Sequence, residues 1–156
     1  MFKINLVAVG KIKEDYFKKA IDEYLKRLKR CADVKVFEVE EITFSKEEGQ
    51  KKAILLKEEE KILPLLKGKV IALAIEGKNI SSEEFSKTFA KYKEQGVSEI
   101  TFLIGSSYGL SDRVKKQADF LLSFSKMTFP HQMFRAMLLE QIYRAFMIDA
   151  GSSYHK

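Results

Sequence analysis

Val70-Ile-Ala-Leu-Ala-Ile75-Glu-Gly-Lys-Asn79, then Ser81-Ser-Glu-Glu84, then Ile100-Thr-Phe-Leu-Ile104 is the stretch that decides the fold. The first run is short, apolar and rich in β-branched residues, which marks a buried strand. Ser81-x-x-Glu84 is a capping box, in which two side chains satisfy orphan N–H groups of a helix's first turn. A helical period over Ser82–Gln95 follows, and Gly96 is placed to end it. The second apolar run is another strand. Strand, helix, strand at this spacing gives parallel neighbours joined by a crossover helix.

The same alternation extends both ways. Strands are expected at Lys3–Val9 and Val34–Val39, with a weaker one at Phe120–Phe124. Helices are expected at Asp15–Arg30, Lys46–Leu66, Asp112–Ala118 and Pro130–Asp149, the second opening on a capping box Ser45-x-x-Glu48. Pro130 suits the first turn of the last helix. The reading is an α/β fold, a mostly parallel sheet with helices on both faces. No repeat, low-complexity tract or linker interrupts it, so residues 1–156 form a single domain.

Composition narrows the classes. Of the 156 residues 46% are hydrophobic and 32% charged, enough to bury a core, which excludes a disordered or fibrous chain. One cysteine, Cys31, excludes an internal disulfide, and two histidines make a His-rich metal site unexpected. The start, Met1 to Gly10, is apolar for too few residues and is broken by Asn5, so it reads as a strand and not as a signal peptide. No run approaches a membrane span. The expected compartment is the cytoplasm. A net charge of +6 is spread along the chain and permits a polyanionic partner without requiring one. Lys18, Lys19, Lys26, Arg27, Lys29 and Arg30 on the first helix read as a solvated face, and Glu47–Lys61 as an exposed helix of mixed charge.

Ligands of open parallel sheets bind beyond the carboxyl ends of the strands. Three loops fall there: Glu76–Asn79, Gly105–Leu110 and Ser125–Phe129. Glycines 77, 105 and 109 allow positive φ and close approach of backbone to a ligand. Neither a phosphate-binding G-x-x-x-x-G-K-[ST] nor a G-x-G-x-x-G is present. Gly105-Ser-Ser-Tyr-Gly109 does match the G-x-S-x-G nucleophile elbow, and a Ser107-dependent hydrolase using a downstream aspartate and His155 is one alternative. A non-catalytic module that binds ribosomal RNA is another.

The last helix carries apolar residues on more than one face, among them Met133, Met137, Leu138, Ile142, Phe146 and Met147. It must be covered on several sides, and a second copy of the chain is one such cover. Glu140 and Arg144 have the i,i+4 order of a helix ion pair. The tail Gly151-Ser-Ser-Tyr-His-Lys156 would by default be frayed, yet it concentrates groups that stack, exchange protons and bind phosphate.

These residues together resemble the ribosomal RNA large subunit methyltransferase H family, SPOUT-class enzymes that methylate N3 of a pseudouridine. The likeness runs from Leu6-Val-Ala-Val-Gly10 through Leu73-Ala-Ile-Glu-Gly-Lys78 and Phe102–Ser111. It is strongest in Leu122-Ser-Phe-Ser-Lys-Met-Thr-Phe-Pro-His131, and it continues in Arg135, Glu140-Gln-Ile-Tyr-Arg-Ala145 and Gly151–His155. Two departures are Ser106, where the family usually has Gly and a side chain would crowd the cofactor loop, and Ser153, where a missing Pro would loosen the tail.

The resemblance implies a homodimer with a trefoil-knotted C-terminal half and S-adenosylmethionine as cofactor, with no metal. It implies that Leu73, Gly105 and the run Phe124, Ser125, Lys126, Met127, Thr128 and Phe129 hold the cofactor. It assigns catalysis to His155 for the proton of N3 or for stabilising the anionic ring, Arg144 for a phosphate or ring carbonyl, and Tyr154 for stacking on the base. The implied partner is large-subunit ribosomal RNA, within the assembled ribosome. The tail of one subunit would serve the cofactor site of the other.

Overall fold

The structure is a computed structural model, and it describes residues 1–42 and 50–156. Along the chain lie β1 (Phe2–Val9), α1 (Asp15–Leu28), β2 (Ala32–Val39), α2 (Lys51–Ile62) with a single 3-10 turn at Leu63–Leu65, and β3 (Lys69–Asn79). They continue as α3 (Ser82–Glu94), β4 (Glu99–Ile104), α4 (Asp112–Gln117), β5 (Phe120–Ser123) and α5 (His131–Asp149). The expected capping box at Ser45 and the expected start of the second helix at Lys46 lie outside the described residues. The box at Ser81 forms as expected, with the Glu84 N–H donating to Ser81 Oγ and the Ser81 N–H to the Glu84 carboxylate. Pro130 stands one position earlier than expected, as the N-cap of α5.

The strands make one sheet in the order β2-β1-β4-β3-β5, every pairing parallel. β4 is central, and its neighbour β1 buries Ile4 to Val9 without alternation, as a strand covered on both faces requires. Helices α1, α3 and α5 cover one face. Their Leu28, Phe85, Phe89, Leu138 and Ile142 close over Ile4, Leu6, Ile100 and Phe102 of the sheet. On the other face Ile62 at the end of α2 and Val114 of α4 close over Val7, Val70 and Leu103.

One stretch departs from the sequence reading. Glu76–Asn79 is not a loop after a strand that ends at Ile75. β3 pairs with β5 up to Leu73, swings out for four residues, and rejoins β5 with Lys78 opposite Leu122 and Asn79 opposite Ser123. Gly77 has an ordinary φ. A Cβ there would stand 2.7 Å from the Leu121 carbonyl oxygen, so the approach it permits is to β5 and not to a ligand.

Among the described residues, three charged side chains are buried where their helices would otherwise expose them: Glu58, Glu59 and Arg135. Arg135 of α5, 4% exposed, donates to Glu38 at 2.6 Å and to the Gly10 carbonyl at 3.2 Å. It ties the start of α5 to the ends of β2 and β1. Glu58 of α2, 2% exposed, accepts from the Ser106 hydroxyl at 3.0 Å, and its Oε2 has no partner among the described residues. Burial pushes its carboxyl above the usual carboxylate range, with the Ser106 hydrogen bond opposing.

Arg135→Leu is expected to lower the unfolding free energy by about 2–3 kcal/mol, less than a fully buried pair because Glu38 keeps contact with water. Urea unfolding reads this, and a neutral result would mean that the tie does not hold α5. Glu58 makes a pH prediction. An acid whose folded value is raised stabilises the fold at low pH, and that contribution is lost as pH rises from the unfolded carboxylate's range through the folded value. Relative to wild type, Glu58→Gln should therefore gain melting temperature at pH 8 compared with pH 5, so that the difference between the two pH values shifts in the variant. An unchanged difference would clear Glu58 of the effect.

Candidate active site

A cleft of about 730 Å³ opens beyond the carboxyl ends of β3, β4 and β5. Its walls come from the outswung part of β3 (Leu73 to Glu76), the turn after β4 (Gly105 to Leu110) and the segment joining β5 to α5. The turn after β4 needs its glycines: a Cβ on Gly105 would stand 2.5 Å from the Gly109 carbonyl oxygen, and Gly109 has φ +81°. Of the three glycines expected to relax the backbone, only Gly109 has a positive φ, and what Gly105 accommodates is the turn itself.

The joining segment crosses from the edge strand β5 back toward the centre of the sheet. Phe134 of α5 pins it, with Phe124 and Phe129 packed edge-on at 5.6 and 5.5 Å. Ser125 Oγ takes the Met127 N–H at 3.0 Å and gives the segment its bend. Leu73, Gly105, Phe124, Ser125, Met127, Thr128 and Phe129 all line the cleft. Lys126 is exposed and does not. Its lining includes an apolar set, Leu73, Ile104, Leu122 and Phe124. The volume lies within the range for small-molecule sites.

Side chains that sequence reading did not assign also stand here. Glu76 and Lys115 form an ion pair of 2.6 Å at the rim, and the lysine's hydrogen bond holds the Glu76 carboxyl below its usual range. Tyr108 is exposed on the turn after β4, and His131 closes the wall at the start of α5. Tyr108 and His131 lie inside stretches the sequence singled out. Nothing in the sequence distinguishes Lys115 from any other surface residue of a short helix.

Ser106 stands in the cleft's lining, and its hydroxyl donates to Glu58. Ser111 at the far end of the same turn donates to Glu59 at 2.7 Å, so α2 holds the turn at both ends. Ser107 is exposed, and no hydrogen bond joins it to either histidine among the described residues. The nucleophile elbow therefore lacks its base.

Arg144, Tyr154 and His155 come together, but not in this cleft. Gly151, with φ +67°, reverses the chain after α5 in a Schellman turn, with Ser152 N–H on the Met147 carbonyl and Gly151 N–H on that of Ile148. The tail then folds back. Tyr154 Oη donates to Glu140 Oε1 at 3.1 Å, its ring lies under the Arg144 guanidinium at 4.8 Å, and its edge meets Tyr143 at 5.0 Å. Arg144 grips the same Glu140 oxygen through two of its nitrogens, and its third faces His155 Nδ1 at 3.1 Å. His155 Nε2 lies 2.7 Å from Glu83 on α3. The end is thus fastened, not frayed. None of the three lines the cleft of its own chain. Glu140 does line a second cleft of about 460 Å³, on the far side of Phe124 and Phe129.

Among the described residues no group of His, Cys, Asp and Glu is arranged to hold a metal ion, and no helix is long and apolar enough to cross a membrane. Comparison with known proteins supplies the lineage. Residues 2–155 match the family model described as "Predicted SPOUT methyltransferase". A ribosomal RNA large subunit methyltransferase H from Streptococcus thermophilus is 50% identical over 158 residues, covering 99% of each chain. One from Clostridioides difficile is 48% identical, covering 98% of this chain and 99% of its own. Among solved structures, "a probable methylase family protein" from Haemophilus influenzae superposes with a TM-score of 0.58 at 12% identity, covering 98% of this chain and 70% of that one. At that identity the likeness speaks to the fold alone. From strand order to the last residues of the tail, the chain belongs to the SPOUT methyltransferases, in the ribosomal RNA large subunit methyltransferase H family.

Proposed function

We propose that this chain, acting as one domain, transfers a methyl group from S-adenosylmethionine to N3 of a pseudouridine in large-subunit ribosomal RNA. It does so in the cytoplasm, as a homodimer whose active sites each join one protomer's cleft to its partner's tail. The observation that carries the reading is the cleft, where seven of the eight residues expected to hold the cofactor stand around one slot. The names of the closely similar relatives support the RNA class. The joining segment from β5 to α5, which passes across the strand ends, suits a trefoil knot.

The division between cleft and tail supports the composite site. Arg144, Tyr154 and His155 are ordered by their own chain but line none of its cleft, so the chemistry they offer is available to a neighbour. On α5, Met133, Met137, Tyr143 and Met147 are only half-buried by the chain itself, which leaves apolar surface for a second copy.

S-adenosylmethionine supplies, when bound, a sulfonium methyl that is already a strong electrophile. The protein's task is placement and the proton. Leu73 and Phe124 would flank the ring system, while peptide groups of Gly105 and of the 125–129 segment read its polar edge. Holding two reactants in line contributes about 7–11 kcal/mol in favourable cases. N3 lies between two carbonyls and must lose its proton before or during attack. His155 takes it, a step typically contributing about a hundredfold to ten-thousandfold. Arg144 orients a phosphate or ring carbonyl as a planar donor. Tyr154 anchors the tail through Glu140, and stacking on the base would require its ring to part from Arg144. A charge of only +6 on a small surface favours recognition of an assembled ribosomal particle over free RNA.

Isothermal titration with S-adenosylmethionine should give saturable binding for wild type and none for Gly105→Val, whose side chain has no room beside Gly109. Binding by both would remove the cleft from the cofactor's site. The shared site is tested by mixing two inactive variants, Gly105→Val and His155→Ala. If subunits exchange and tails act in trans, heterodimers regain one sound site, and a one-to-one mixture recovers about a quarter of wild-type methyl transfer. If tails act on their own clefts, the mixture stays inactive.

A further inference from the structure

The hydrogen bonds around the tail carry a residue into the reaction that neither the sequence motifs nor the family match assigns. His155 has a partner on each ring nitrogen, Arg144 on Nδ1 at 3.1 Å and Glu83 on Nε2 at 2.7 Å. A guanidinium has donors only, so Nδ1 must accept and carries the lone pair. The ring proton then sits on Nε2 and is donated to the Glu83 carboxylate. We infer that Glu83 is a positioning residue, which with Arg144 fixes His155 as the Nε2–H tautomer and keeps Nδ1 as its basic atom. This rests on the reading of His155 as the group that takes the N3 proton.

Local structure explains how Glu83 comes to be available. The first turn of α3 has two adjacent glutamates, and the capping box occupies Glu84 through the Ser81 N–H. Glu83, the next residue around the helix, is left to face the tail. Its hydrogen bond from His155 holds its own carboxyl below the usual range. The carboxylate is therefore ionised wherever the enzyme works.

The arrangement has the logic of a carboxylate-oriented histidine base. When Arg144 turns from Nδ1 to a phosphate or carbonyl of the RNA, the Nδ1 lone pair is freed. The N3–H bond breaks and an Nδ1–H bond forms, while the pair left on N3 makes the new bond to the methyl carbon. The carbon–sulfur bond breaks with its pair on sulfur. His155 becomes an imidazolium between Nδ1–H and Nε2–H, and Glu83 on the Nε2 side balances its charge. Glu140, which binds Arg144 and Tyr154, is the other charged group facing the ring's surroundings.

The test reads the tautomer directly. The chain has two histidines, so resonances missing from His155→Ala assign the ring in long-range proton–nitrogen spectra. In the wild-type protein, at a pH where the ring is neutral, Nδ1 should show as unprotonated and Nε2 as protonated. Glu83→Ala should bring the two nitrogens toward averaged values, and Glu83→Gln, whose amide oxygen still accepts, should restore the wild-type pattern. In methyl transfer to ribosomal particles, Glu83→Ala should lower kcat about tenfold with S-adenosylmethionine affinity unchanged. Glu83→Gln should lie between the two, lacking the balancing charge. A wild-type ring protonated at Nδ1, a Glu83→Ala ring identical to wild type, or an unaltered kcat would each overturn the proposal. The spectra need neither RNA nor cofactor. Wild-type protein that transfers no methyl group would overturn the proposed function, while the tautomer would still decide Glu83's grip on the ring.

Discussion

A guanidinium buried between one carboxylate and one backbone carbonyl holds this molecule's architecture in place. β5 lies at one edge of the sheet, yet α5, which follows it, packs over the sheet's centre against α1 and α3. The chain between them has to cross the carboxyl ends of β3 and β4, and a crossing segment needs both ends fixed. Pairing of β5 with β3 fixes the first end. Arg135, on Glu38 and on the Gly10 carbonyl, fixes the second. The cleft wall is that crossing segment, so a salt bridge at the ends of β1 and β2 determines the shape of a pocket at the ends of β3 to β5. Burying a charge is costly, and here the cost is offset by a short ion pair and a second acceptor.

The tail is governed by a different kind of constraint. Glu140 is half-buried and receives hydrogen bonds from Arg144 and Tyr154 at the same oxygen. A carboxylate saturated in this way orients both donors, and the remaining arginine nitrogen sets the histidine. The cleft, by contrast, relies on backbone and apolar side chains. One half of the machinery is a shape and the other a charge network, built on opposite ends of the same helix. Phe124 and Phe129 divide the cleft from the second hollow beside Glu140, so the two halves share a wall of aromatic rings.

Strands and helices were legible because the hydrophobic period changes sharply at each boundary. The cap at Ser81 and the glycine at 96 marked the ends of α3 within a residue. β3 was misread past Ile75 because Glu-Gly-Lys-Asn has the composition of a turn, and only pairing with β5, more than forty positions away, returns it to the sheet. Glu58 reads as part of an exposed helix because charged side chains on helices normally are exposed, and nothing in the local pattern marks Arg135 for burial. Their burial depends on what packs above them, which local pattern does not encode. The 125–129 segment has no compositional signature either; its place after a strand marked it as a ligand loop, and only the likeness to a family named a ligand for it. Ser106 shows the reverse. A departure visible in the sequence stands in the cleft's lining, and its hydroxyl is bound by a carboxyl on another helix.

The order of the strands has a temporal consequence. Glu38 and Arg135 are 97 positions apart, and Gly10 and Arg135 are 125 apart. During synthesis the β1–β2 pair is available long before its last covering helix exists, and α5 can dock only once it has emerged. Contacts this distant in sequence form slowly, since the chain loses loop entropy before the contact repays it. Until then the sheet face that will carry Leu138 and Ile142 is bare. The protein is therefore most exposed to aggregation before α5 docks, and the tail, which folds back on α5, becomes ordered only after that.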